Sequence, residues 1–227
     1  MNRDELLSAG EDPLDPGGYF IINGTEKALI SIEDLAPNRI FVSREKEKEL
    51  IQAKVFSTRL GFRGRITVDR TREGRLSVTL PSFNKSIELL VLLKALGLDK
   101  PEKVSAAFPD MIEIHNDLLL NYEADADIKT KRDALEAIGK RAAPGQPVDY
   151  QLKRAELLID RYLLPHIGVD EKDRLAKAYY LCRMGERAIL TAYRKRKPED
   201  KDHYANKRIK ITGKLMEELF RYAFQFF

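Results

Sequence analysis

Apolar residues first fall in short runs and alternations, and later at helical spacing, so the chain reads as a β half followed by a helical half. Tyr19–Ile22 and Lys27–Ile32 flank Asn23-Gly24, a dipeptide that suits a tight hairpin turn. Arg39–Ser43 reads as a further strand. From Ala53 to Leu80 the pattern stays strand-like: Ala53, Val55 and Ser57 alternate with Lys54, Phe56 and Thr58. Gly61-Phe62-Arg63-Gly64 reads as a strand bend. Arg65–Asp69 and Arg75–Leu80 form a hairpin with Gly74 in its turn, and alternation sends Ile66, Val68, Leu76 and Val78 inward. Its tip is expected in solvent. After Pro81 the spacing turns helical. Ile87 to Leu96 is apolar on nearly all sides and is stopped by Gly97. Helices are predicted around 101–108, 110–122, 127–140, 149–164, 170–195 and 211–227, broken at Ala143-Pro144-Gly145-Gln146-Pro147 and at the polar loop 198–206. Asp170 is the candidate N-cap of the longest, with Arg194–Lys197 in its last turn. The expected class is α+β: a small antiparallel sheet plus a helical bundle.

Composition narrows the chemistry. The chain has 227 residues, one Cys, three His and no Trp. One cysteine excludes an internal disulfide framework and a Cys-rich zinc site. No run approaches the about 18 apolar residues of a membrane span, and the acidic start does not fit a signal peptide, so an intracellular, cytoplasmic protein is expected. The triplets Asn23-Gly24-Thr25 and Asn84-Lys85-Ser86 are then chance glycosylation matches. The last residues, ending Phe226-Phe227 without a polar finish, and the abrupt entry into Tyr19–Ile22 read as the edges of a fragment.

A net charge of +4 hides a segregation. Residues 59–75 carry six Arg and two acids, residues 194–210 carry eight Lys or Arg and three acids, and residues 110–136 carry eight acids and three basic residues. Basic segments attract nucleic acid, although from composition alone solvated surface charge is the favoured reading. The acidic segment could instead dock a basic partner, which keeps open a stand-alone helical interaction module with no nucleic-acid role. Asp125-Ala126-Asp127 could bind Mg²⁺ only if more carboxylates converged on it, and Asp suits a helix start. Cys182 lies within a helix with no base placed to activate it. No catalytic residues and no metal ligands are assigned.

Two stretches are more specific. Residues 17–27 read GGYFIINGTEK and residues 200–208 read DKDHYANKR. Both resemble signatures of the second-largest subunit of archaeal-type multisubunit DNA-dependent RNA polymerase, in its split form the N-terminal half, of the B double-prime type. TLPSF (79–83), LLKALG (92–97) and LLPHIG (163–168) fall in the same order as in that family.

The resemblance implies a fold and a role. It implies that 1–30 ends the first half of a protrusion domain, 31–205 is an inserted lobe domain, and 206–227 begins the second half of the protrusion. The lobe would form part of the DNA-cleft wall during transcription, with no catalysis by the fragment alone. The magnesium and zinc of the parent nucleotidyltransferase would lie elsewhere, leaving no cofactor here. Implied partners are template and downstream duplex DNA, other polymerase subunits and transcription factors. The candidate nucleic-acid contacts are Lys27, Arg65, Arg70, Arg72, Arg75, Lys207 and Arg208, with Asp202 and His203 bracing the loop before the last two.

Overall fold

The computed structural model describes residues 2–45, 50–83 and 85–224. The Asn84 triplet and the Phe226-Phe227 ending lie outside the described residues. The chain divides into two compact units, residues 1–34 with 208–227, and residues 35–207.

The first unit opens with a short helix, α1 (Arg3–Ser8), whose start is closed by reciprocal bonds between Asn2 and Glu5. Strands β1 (Tyr19–Ile22) and β2 (Thr25–Ala28) then form an antiparallel ribbon with Ile22 opposite Thr25. Asn23 (φ 51°) and Gly24 (φ 75°) make the left-handed turn the Asn-Gly pair predicts. The run expected to continue to Ile32 breaks after Ala28, and Ile32–Leu35 forms its own strand, β3.

In the second unit, β4 (Ile40–Glu45), β5 (Leu50–Arg59), β6 (Phe62–Arg70), β7 (Leu76–Thr79) and β8 (Ile87–Glu88) make one antiparallel meander in chain order. Leu60 (φ 48°) and Gly61 (φ 84°) turn β5 directly into β6, so the expected bend at 61–64 is a tight hairpin. Ile66, Val68, Leu76 and Val78 are buried as the alternation requires. Ile87 and Glu88 pair with Val78 and Ser77, so the apolar helix α2 (Leu89–Ala95) starts two residues later than its spacing suggests. Every residue of α2 is buried, which its all-round apolarity demands.

The remaining helices of this unit are α3 (Pro101–Ala106), α4 (Ile112–Ala124), α5 (Lys131–Ala142), α6 (Val148–Tyr162) and α7 (Arg174–Ala192). Helix α7 packs on β4, β5 and β6 and carries Leu181, Cys182, Met184 and Ile189 into the core. It starts after a 3₁₀ turn, Glu171–Asp173, and ends before Arg194, whose φ of 58° breaks the helix. The basic run 194–197 therefore lies beyond the helix rather than in its last turn. Asp125 is a C-cap of α4, not a helix start. Helices α5 and α6 cross so closely that a Cβ on Gly139 would meet the Gln151 carbonyl oxygen at 2.8 Å.

The chain returns through a 3₁₀ turn (Tyr204–Asn206), strand β9 (Lys207–Lys210) and helix α8 (Thr212–Phe224). Strand β9 pairs with β3. The strand following the first sequence signature thus lies beside the one that ends the second. Among the described residues no helix is long and apolar enough to cross a membrane.

Cys182 is fully buried, and burial pushes its thiol up to about 12. A thiolate-specific reagent is therefore expected to leave the native chain unlabelled at pH 8 and to label it once denatured. Rapid native labelling would contradict the packing of α7.

Candidate nucleic-acid interface

Alternation along β5 and β6 decides which basic residues face away from α7. Phe56 stands opposite Arg65 and Thr58 opposite Arg63. Arg63 and Arg65 are exposed, and the Arg63 guanidinium lies 4.7 Å from the Phe56 ring centroid. Lys54 is half-buried on the same face. Its pKa is lowered by burial first, then by the charges of Lys201 and Arg65, with Glu45 and Asp69 opposing. Lys201 from the returning loop and Arg65 from the hairpin strand, one residue from each basic segment, thus both act on Lys54 electrostatically.

The hairpin tip is exposed at Arg72, Glu73 and Arg75, but Arg70 at its base does not face solvent as the sequence suggests. Arg70 is 9% exposed and donates from Nε (2.5 Å) and Nη2 (2.9 Å) to the Asp117 carboxylate on α4. That ion pair removes Arg70 from the candidate contacts. The reason lies in the register: positions 66, 68 and 70 share a face, so Arg70 follows Ile66 and Val68 inward. Asn121, one turn beyond Asp117, accepts from the Leu76 amide and donates to the Gly74 carbonyl. Gly74 (φ 91°) is buried, and a Cβ there would meet Asp117 at 3.0 Å. Arg72 and Arg75 remain exposed. Arg75, however, shares a shallow cleft with Glu73 and Glu123 and lies in the field of Glu88 and Asp125, a poor setting for phosphate.

In the returning loop the bracing acid is Asp200 rather than Asp202. Asp200 Oδ1 accepts from the Asp202 amide at 2.9 Å, and its carbonyl accepts from the buried Asn206 side chain. His203 does brace: its Nδ1 accepts from the Ala205 amide at 3.1 Å. Asp200, Asn206 and the 3₁₀ turn escape sequence reasoning because an Asx bond leaves no periodic signal, although Asp-x-Asp in a polar loop is a turn composition. Lys207 places its ammonium 5.7 Å from the Tyr204 ring centroid, and Arg208 is exposed. Glu217 and Glu218 are taken by Lys214, Arg221 and Lys210. Lys27 is exposed on β2, opposite Phe20.

Four of the eight acids in the acidic segment are engaged inside their own unit. Asp110 bonds His115, Glu113 pairs with Lys195, Asp117 holds Arg70 and the Tyr193 hydroxyl, and Asp133 caps α5. Among the described residues no group of three or more His, Cys, Asp and Glu side chains is placed to hold a metal ion.

Residues 36–210 match the family model described as RNA polymerase Rpb2, domain 2. The chain belongs to this RNA polymerase family. It is 49% identical to DNA-directed RNA polymerase subunit Rpo2N of Halobacterium salinarum, over 98% of this chain and 44% of that one. It is 47% identical to Rpo2N of Methanocaldococcus jannaschii (98% and 46%) and 40% identical to subunit Rpo2 of Saccharolobus solfataricus (99% and 20%). The chain thus spans less than half the length of each of these relatives. The family expected from residues 17–27 and 200–208 is the family found. Within the Rpb2 domain 2 match lie the meander, helices α2 to α7 and the basic face around Lys54.

Proposed function

We propose that this chain is the lobe-containing part of the N-terminal half of a DNA-directed RNA polymerase second-largest subunit, working in the cytoplasm. It forms a wall of the DNA cleft toward downstream duplex and does no chemistry alone. The observation that carries the reading is the basic face built from Lys54, Arg65 and Lys201 within a chain of the Rpb2 domain 2 family. Lys and Arg attract backbone phosphates without reading bases, as an enzyme that must traverse every sequence requires.

The compact unit 35–207 supports a lobe at 31–205, and the unit made of both chain ends supports protrusion segments at 1–30 and 206–227. Lys27, Arg65, Arg72, Lys207 and Arg208 are the contacts we assign, Arg75 being the weakest candidate. The magnesium and zinc of the parent enzyme belong to parts outside this chain. Other polymerase subunits and transcription factors are its partners. The acids engaged within residues 110–136 speak against a separate acidic docking module.

The test is charge reversal in reconstituted polymerase. Lys27→Glu or Arg208→Glu is expected to shorten elongation-complex lifetime, with a salt dependence shallower by about one phosphate contact. Wild-type lifetime and salt slope in both variants would refute the cleft-facing assignment.

A further inference from the structure

A second basic site stands in the 35–207 unit, among residues the reading above does not use. A cleft of about 340 Å³ opens between the start of β4, helix α7 and the loop after it, and it is lined by Arg39, Arg183, Arg187, Arg196, Tyr180 and Glu199, together with Asn38 and Ile40. Residues 180, 183 and 187 fall on one face of α7 by helical spacing.

The Glu199 carboxylate is already committed. Its Oε1 accepts from Arg196 Nη2 at 2.6 Å and lies 3.8 Å from Arg187, and its Oε2 accepts from the Val42 amide at 2.7 Å. Arg39 spends one N–H on the Ala205 carbonyl, and Tyr180 donates to the Asn38 carbonyl. Arg183 is exposed and pairs with no carboxylate among the described residues. Arg196 Nε is buried without an acceptor. Four guanidinium charges against one carboxylate leave a clear positive excess in a concave site. Burial lowers the pKa of Arg187, and the charges of Arg196 and Arg183 lower it further, with Glu199 and the neighbouring Glu186 opposing. The cleft is thus a place where positive charges repel one another and at least one donor is unmet.

We propose that this cleft is a phosphate-binding site, in which a compact phosphate or pyrophosphate group is gripped by the guanidiniums of Arg39, Arg183 and Arg196. Near neutral pH a free phosphate carries up to two negative charges and pyrophosphate more, and successive backbone phosphodiesters supply one each, which matches the excess better than a single carboxylate does. Guanidinium forks fit its oxygens in pairs. The phosphate group comes from a free oxyanion or from a nucleic-acid backbone, and the site does not depend on the cleft-wall reading.

The experiment is titration calorimetry of the 227-residue chain with inorganic pyrophosphate at low salt. Wild type is expected to bind at one site, Arg183→Gln to bind at least tenfold more weakly, and Lys153→Gln, exposed on α6 outside the cleft, to bind as wild type. Arg39→Gln gives a second exposed variant, and a thermal melt of each shows that it is folded. No binding by wild type at millimolar pyrophosphate, or equal binding by folded Arg183→Gln and Arg39→Gln, overturns the proposal. A short DNA duplex without terminal phosphates is then added as competitor. Displacement of pyrophosphate names the backbone as the source and its absence names the free oxyanion, and either result supports the site.

Discussion

Replacing Asp117 with Ala is expected to destabilise the chain by about 3–5 kcal/mol, measured by denaturant unfolding at pH 7. Asp117 is fully buried and receives two hydrogen bonds from Arg70 and one from the Tyr193 hydroxyl at 3.0 Å. Removing the carboxylate leaves a guanidinium that is 9% exposed without its counter-charge, and the charge cannot be shed because Arg stays protonated. The pair also ties the β6–β7 hairpin to α4, so the loss should spread to the turn at Gly74. Asp117→Asn keeps an acceptor for Tyr193 but not the charge, and should fall between the two. A double replacement, Arg70→Met with Asp117→Leu, should recover much of the loss, because an apolar pair of similar volume needs no desolvation. A loss under about 1 kcal/mol for Asp117→Ala would mean that Arg70 reaches solvent in the folded chain.

The second large effect is a pH dependence set by Lys177. Its side chain is 0% exposed, and Nζ donates to the carbonyls of Ile159 (3.1 Å) and Asp160 (2.7 Å) in the last turn of α6. Those carbonyls would otherwise lack partners. Burial pushes the ammonium down to about 8, against the pull of Asp160 and Asp173. Below that value both folded and unfolded chains hold the proton, and the cost of a buried charge is fully present. Between about pH 8 and the ordinary lysine value of 10.5 the folded chain has released a proton that the unfolded chain keeps, so stability rises with pH. The gain across that window is on the order of 2–3 kcal/mol. Cys182 and Tyr122, both raised by burial to about 12, work in the opposite sense above about pH 9. The Lys177 contribution is therefore read as the stability difference between wild type and Lys177→Met. That difference should climb from pH 7 to 10.5, and parallel curves would show that Lys177 does not titrate in this window.

Much of the fold was legible because it rests on local rules. The Asn23-Gly24 turn follows from a left-handed backbone that Asn and Gly tolerate well, and the inward set Ile66, Val68, Leu76 and Val78 follows from the pleat. The all-apolar α2 had to be central. Strand β8 was hidden because Ile87 and Glu88 extend an apolar run that suits a helix equally well, and only pairing with β7 decides between them. Strand β9 was hidden because three of the four residues Lys207–Lys210 are charged and its partner is β3, distant in sequence. Of the candidate contacts, Arg70 was misread although its parity with Ile66 and Val68 was visible, because a charged residue on a core face looks like an error until Asp117 is brought to it.

The sequence by itself determined the α+β class, the order of most elements, and the family, through two long signatures and the order of the shorter ones between them. These depend on residue type and spacing, which are read along the chain. What only the tertiary structure decided is which charges meet. It set Lys201 beside Lys54 and Arg65, placed Asp117 against Arg70, buried Lys177 under the end of α6, and gathered Arg39, Arg183, Arg187 and Arg196 around one cleft. An electrostatic interaction depends on distance and on the surrounding dielectric, and neither is defined until residues far apart in sequence are packed together.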